Sequence, residues 1–304
     1  MATATPTALP LAKEDELFDR SIRTRWRLGF DRAAGWLLPL LFIVAILPIL
    51  DMVYYIAAGA LPTLSWGVLT NTAPTQRDNL AVPIICTFEI LGIATGLAVA
   101  LGLIGGIATA EFLSERAAGW VRMSANMLAG TPSVAIGYFG YFLLVIYLDW
   151  GYVLAAGSVT LAFFMTPYVF RTADLAFSSV PRPIREAAYG GGAGPFQYIG
   201  RVGLPIAFPQ VLTGVFLAMA IGVGESAPII LTTATATILP TSLFSPATYL
   251  PVLVWENYTQ PSNTLLYHIA FQAAFVLIVI VIGLNILVRL VSARYQKRLE
   301  GLYQ

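Results

Sequence analysis

Glu225, Ser226 and His268 are polar side chains with reactive potential in a strongly apolar chain. Glu225 is the one charge between Arg201 and Glu256, within Gly224-Glu225-Ser226-Ala227-Pro228, and His268 is the sole histidine. A serine beside an imidazole is what nucleophilic catalysis requires, so an intramembrane serine hydrolase with a Ser226–His268 dyad is one reading. Against it, no glycine directly follows Ser226, and His268 also reads as an ordinary buried or interfacial imidazole. A carboxylate at membrane depth is costly and marks function by default. Glu225 either carries a function at that depth or anchors a break at Pro228. Glu89 reads as a water-exposed helix end. A single cysteine, Cys86, and a single histidine exclude an internal disulfide and a multi-ligand Cys/His metal site. No G-x-x-x-x-G-K-[ST] loop occurs, so the chain does not hydrolyse ATP by that route.

A second concentration of chemistry is residues 185–205, REAAYGGGAGPFQYIGRVGLP, between two apolar runs. Glu186-Ala187-Ala188 is expected to begin a short helix, with the chain turning at Gly190-Gly191-Gly192 and a second helix opening at Pro195. Gly190 and Gly191, each costing roughly 1 kcal/mol in a helix interior, shorten or loosen the first helix. Such a knob is a docking element for another protein or, read alone, a glycine-rich surface loop.

The elements that must hold these groups are membrane helices. The chain of 304 residues is 58% hydrophobic and 11% charged, with mean hydropathy +0.76, where soluble domains carry about 25% charged residues. A net charge of +1 gives no field for nucleic acid. Spans are expected at 33–57, 83–110, 123–148, 152–170, 202–224 and 265–288, while 226–255, with Pro228, Pro240, Pro246 and Pro251, reads as an outer loop with short helical pieces that dip into the protein. Glu225, about 20 residues beyond Pro205, would then lie ~30 Å along the fifth span, in the outer half of the bilayer. Thr131 and Ser133, flanking Pro132, line a path or make a packed kink. Arg171, at the inner end of span four, can snorkel to lipid head groups. With six spans, 16 of the 17 basic residues fall on the side of the termini, Arg77 being the exception. The positive-inside rule places both termini and the 171–201 loop in the cytoplasm. The expected organisation is a cytoplasmic tail over 1–32 with an amphipathic helix from Lys13 to Arg32, a transmembrane domain over 33–290 containing the 181–205 loop, and a cytoplasmic tail over 291–304, without a removable signal peptide.

Glu186-Ala187-Ala188, three residues, Gly192, nine residues and Val202-Gly203-Leu204-Pro205 resemble the EAA motif of bacterial ABC importer permeases. Gly130-Thr131-Pro132-Ser133, Arg171-Thr172-Ala173-Asp174 and Gly224-Glu225-Ser226-Ala227-Pro228 are similar to motifs of the phosphate permeases, the last to those of PstA-type subunits. The resemblance covers most of the chain from the second span onward. It implies an all-α integral membrane protein with six transmembrane helices and the type I ABC importer permease fold, in a bacterial cytoplasmic (inner) membrane. It also implies that the chain is a non-enzymatic transport subunit working with a PstC-like permease subunit, a PstB-like ATPase dimer carrying ATP and Mg, and a periplasmic phosphate-binding protein, PstS. Glu186, Ala187, Ala188, Gly192, Leu204 and Pro205 would couple to the ATPase. Glu225, Ser226, Arg171, Thr131 and Ser133 would belong to the path or its gate. Ile221 stands where the family usually carries an arginine, which leaves permeases for sulfate, molybdate or another solute as the alternative.

Overall fold

The computed structural model describes residues 22–72, 79–260 and 263–300, with side chains over 35–72, 79–260 and 263–291. Arg77 and the first part of the expected amphipathic stretch, Lys13 to Ser21, lie outside the described residues, and the side chains of the rest of that stretch are not described. The chain divides into two compact units, one ending at Tyr55 and one beginning at Ile56.

The described part of the first unit is one helix, α1, Ile22–Ala60, whose last turn belongs to the second unit. From Gly35 to Tyr55 nearly every side chain points outward, including Trp36, Leu38, Phe42 and Tyr54. A helix that is apolar on all sides suits lipid or a partner helix rather than a one-sided core.

In the second unit, a short helix, α2 (Trp66–Thr70), precedes the central pair, α3 (Ala81–Glu111) and α6 (Leu154–Ser178). α3 carries a buried stripe of mainly small residues, Cys86, Ala94, Ala98, Gly102, Gly106 and Thr109. At Gly106 an added Cβ would lie 2.6 Å from the Ala173 Cβ, and at Gly102 it would lie 2.8 Å from the Phe170 nitrogen. Small residues let the two backbones approach where hydrocarbon offers no hydrophobic drive. This makes α6 the buried centre of the unit.

Between α3 and α6 the chain departs from the expected third span. Instead of one helix over 123–148, α4 (Glu115–Ala129) and α5 (Ser133–Gly140) meet at 96°, and a π-helical stretch, Tyr141–Tyr147, continues α5. The cause is local: Ser114, nine residues before Met123, caps α4 through the Ala117 amide, and Pro132 cannot donate a helical hydrogen bond. Glu115, Arg116 and Arg122 give α4 an amphipathic surface. Residues 133–147 reach only about 22 Å at 1.5 Å per residue. Among the described residues, five helices are therefore long and apolar enough to cross a membrane, or six with the bent pair counted as one span.

After α6 come α7 (Arg182–Gly190) and α8 (Pro195–Tyr198), a π-helical turn, Ile199–Gly203, and α9 (Leu204–Gly222). From Pro195 to Gly222 the helix runs on without a break, so the fifth span starts seven residues before the expected Val202. The proline-rich stretch holds α10 (Ala227–Ile230) and α11 (Leu250–Tyr258), with Ile229, Ala247, Tyr249 and Leu250 fully buried. It dips into the protein as expected, held where the Leu250 amide donates to Thr87 Oγ1 at 2.9 Å. The last helix is α12 (Thr264–Glu300).

Candidate functional site

Most of the predicted residues fall into two groups at opposite ends of α9. The first is the loop between α6 and α9. α7 begins at Arg182, four residues before Glu186, because Pro181 precedes it and Pro183 suits its first turn. It ends at Gly190, so only one glycine of the run lies within the helix. Gly192 has φ +83°. Its amide donates to the Tyr189 carbonyl at 3.0 Å, and the Ala193 amide donates to the Ala188 carbonyl at 3.1 Å. That is a Schellman cap, and it gives the three-residue gap between Ala188 and Gly192 a physical reason: the glycine must occupy the left-handed position just past the helix. The Gly194 amide then donates to Gln197 Oε1 at 3.1 Å, opening α8 at Pro195.

Glu186, Ala187 and Gly192 are exposed, and Ala188 is half-buried. Among the described residues no hydrogen bond or ion pair engages the Glu186 carboxylate. Leu204 and Pro205 lie 12 and 13 residues past Gly192, where the π turn gives way to α9.

Sequence reasoning missed the residues that hold this loop. Arg185 Nη2 donates to Glu111 Oε1 at 2.8 Å and to the Phe177 carbonyl at 3.3 Å, while Nε donates to the Tyr198 hydroxyl at 3.2 Å. The Tyr198 bond and, less strongly, the Glu111 carboxylate hold the Arg185 pKa above its usual value, against burial. Tyr189 packs on Tyr198 with ring centroids 5.3 Å apart, and burial pushes its phenol upward. A second pair ties α4 to α6: Arg122 Nε and Nη2 donate to Asp174 Oδ2 and Oδ1 at 2.7 and 2.8 Å. The signal available in sequence was only that Glu111 and Asp174 stand in or beside apolar runs.

The second group surrounds the start of α10. Ser133 is the first residue of α5, and that helix packs on α10: a Cβ on Gly137 would lie 2.7 Å from the Ala227 carbonyl oxygen. Glu225 and Ser226 immediately precede α10 and are half-buried. No hydrogen bond or ion pair engages the Glu225 carboxylate among the described residues. The nearby Tyr249 hydroxyl donates to the Gly222 carbonyl at 2.8 Å. Burial and, secondarily, the Glu225 charge raise the pKa of that phenol. Thr131, at the α4–α5 break, donates to the Met127 carbonyl at 2.9 Å.

Arg171 does not join this group. α5 meets α6 at Thr160 opposite Gly140, and Arg171 is eleven residues further along α6, roughly 16 Å. It is exposed, and no hydrogen bond or ion pair engages it among the described residues. Nor does the structure join Ser226 to His268 by a hydrogen bond among the described residues, so the hydrolytic dyad is not formed. Glu89 is exposed on the rim of an open groove of about 500 Å³ with Phe88, Ile93 and Leu243. No cluster of three or more metal-ligating side chains occurs among the described residues.

Comparison with known proteins agrees with this architecture. The profile of the binding-protein-dependent transport system inner membrane component family matches residues 98–300. The chain is 33% identical over 264 residues to the phosphate transport system permease protein PstA 2 of Mycobacterium bovis, covering 84% of this chain and 85% of that one. It is 29% identical over 279 residues to the phosphate transport system permease protein PstA of Haemophilus influenzae, covering 90% and 97%. Among solved structures, a bacterial alginate ABC transporter gives a TM-score of 0.64 at 15% identity, covering 88% of this chain and 98% of that one. The inward-facing MetNI methionine ABC transporter gives 0.56 at 18% identity, covering 70% and 95%. The long apolar helices, the closely packed α3–α6 pair, the EAA loop and these similarities together place the chain in the family of binding-protein-dependent transport system inner membrane components, the permease subunits of ABC importers.

Proposed function

We propose that this chain is the permease subunit of an ATP-driven phosphate importer, supplying half of the translocation path beside a PstC-like subunit. A PstB-like ATPase dimer docks on the 181–205 loop, and a PstS-like binding protein delivers phosphate from the opposite face. Both termini and the loop face the cytoplasm, as the distribution of arginine and lysine requires. The observation that carries the coupling role is the exposed Glu186-Ala187 surface on a helix closed by the Gly192 cap. α8 continues into α9 over the 28 residues from Pro195 to Gly222, about 42 Å of helix. Closure of the ATPase dimer against α7 therefore moves the far end, where Gly222 and Glu225 sit. An ionised Glu225 repels a phosphate dianion, so its role is to meet a cation of the second permease subunit or a protonated phosphate. Thr131, Ser133, Ser226 and Arg171 contribute to the path or its gate.

Ile221 favours a second reading. It packs against the core as an apolar residue, so this chain offers no cation there, and sulfate or molybdate is the alternative cargo. Uptake by the reconstituted complex with its binding protein tests both. Labelled phosphate uptake should resist competition by sulfate and molybdate, and Glu186→Arg should reduce it about tenfold or more while membrane insertion persists, as expected for a charge placed against its docking partner. Unchanged uptake by Glu186→Arg would refute docking. Equal competition by sulfate would transfer the cargo to the second reading.

A further inference from the structure

α7 receives the ATPase in the reading above, yet it buries none of its own residues. Its apolar side is only half-buried, at Ile184 and Ala188, and Tyr189 packs on Tyr198. The polar tie is Arg185, whose guanidinium reaches three elements at once: Glu111 at the end of α3, the Phe177 carbonyl near the end of α6, and the Tyr198 hydroxyl at the end of α8. The guanidinium carbon also lies 5.7 Å from the Tyr198 ring centroid. Two of these partners are themselves held in the interior. The Glu111 side chain is 4% exposed, and Tyr198 is fully buried. Glu111 ends a 31-residue helix packed along α6 through Gly102 and Gly106. A carboxylate so buried is strongly unfavourable without its cation, which fixes the pair in one geometry.

We infer that Arg185, with Glu111 as its fixed counterpart, is a positioning residue for coupling, delivering displacement of α7 directly to the α3–α6 pair as well as along α9. The inference rests on the docking reading of α7. Arginine suits the role because Nε and Nη2 donate in different directions from one planar group, which a lysine ammonium on its flexible stem does not reproduce. Two linkages from one small helix, through α8 into α9 and through Glu111 into α3, make the loop and the membrane helices move as one body. Without the second, α7 pivots on the continuous α8–α9 helix alone.

The test uses the full complex of both permease subunits, ATPase and binding protein in proteoliposomes, reading ATPase retained, ATP hydrolysed and labelled phosphate taken up on the same preparation. Arg185→Gln should retain the ATPase and hydrolyse ATP, while phosphate taken up per ATP falls about tenfold, the scale of a lost charged hydrogen bond. Glu111→Gln, whose side chain is too buried to touch the ATPase, should lower the same ratio, and Arg185→Lys should fall between. The exchange Arg185→Glu with Glu111→Arg should recover part of the ratio that either reversal alone removes. A residue needed only for folding changes the yield of complex and leaves the ratio per complex alone. A wild-type ratio for Arg185→Gln overturns the proposal, as does loss of the ATPase from that complex combined with a wild-type ratio for Glu111→Gln. The Glu186→Arg complex separates the two ideas. If it couples normally, docking itself fails. If it is uncoupled while Arg185→Gln is not, only the positioning role fails.

Discussion

The two ends of α9 are built on opposite plans. At the loop end the buried charges are paired: Glu111 with Arg185, and Asp174 with Arg122 nearby on α6. The helix end at Gly192 is capped, and the exposed surface is left to Glu186 and Ala187. At the far end Glu225 is half-buried without a partner among the described residues, beside a loop whose backbone is carefully tied through Tyr249 and Thr87. One end has its charges paired and its helix end capped. The other has a fixed frame and unsatisfied chemistry, the arrangement expected where a second subunit or a passing ion completes the site.

Substitutions can break or sharpen this contrast. The largest loss of stability should come from Arg122→Ala, which strands the Asp174 carboxylate at 7% exposure. Because Arg122 itself is 43% exposed, the cost is about 1–3 kcal/mol rather than that of a fully buried pair, visible as a lowered unfolding temperature in detergent. Gly192→Ala should follow, at about 1–2 kcal/mol, since its Cβ meets open space and the whole effect comes from the φ of +83°. Tyr249→Phe should cost about 1 kcal/mol through the lost bond to the Gly222 carbonyl. Glu225→Gln should change stability least, within about 0.5 kcal/mol, while lowering phosphate uptake. If Glu225→Gln destabilised the chain as much as Arg122→Ala, the carboxylate would be a structural group and the contrast would collapse.

Much of the architecture is legible in sequence because its causes are local. Apolar runs announce most spans, and the spacing from Glu186-Ala187-Ala188 to Gly192 is a helix end written in residue types. Pro195 marks the next start for the same reason. The structure corrects the third span, where apolar residues from Met123 onward suggested one helix although Ser114 and Pro132 already marked a start and a break. The charges of Glu115, Arg116 and Arg122 explain why α4 is amphipathic and not the first half of a straight span. The ion pairs were not legible, since Arg122 meets Asp174 across 52 positions and Arg185 meets Glu111 across 74. A carboxylate at the edge of an apolar run shows that it needs a cation, but not which one. The buried course of the chain around Ala247 and Tyr249 likewise depends on α3, whose Thr87 receives the Leu250 amide.

The central claim is that α7 is the surface the ATPase grips and the Glu225 end is not. Site-directed cross-linking in the assembled complex tests it most directly, with Cys86→Ser removing the native thiol. A thiol placed by Ala187→Cys should capture the ATPase subunit with a yield that changes between ATP-bound and nucleotide-free states, whereas one placed by Ser226→Cys should capture none. Absence of ATPase capture at position 187, or equal capture at both positions, would contradict the account.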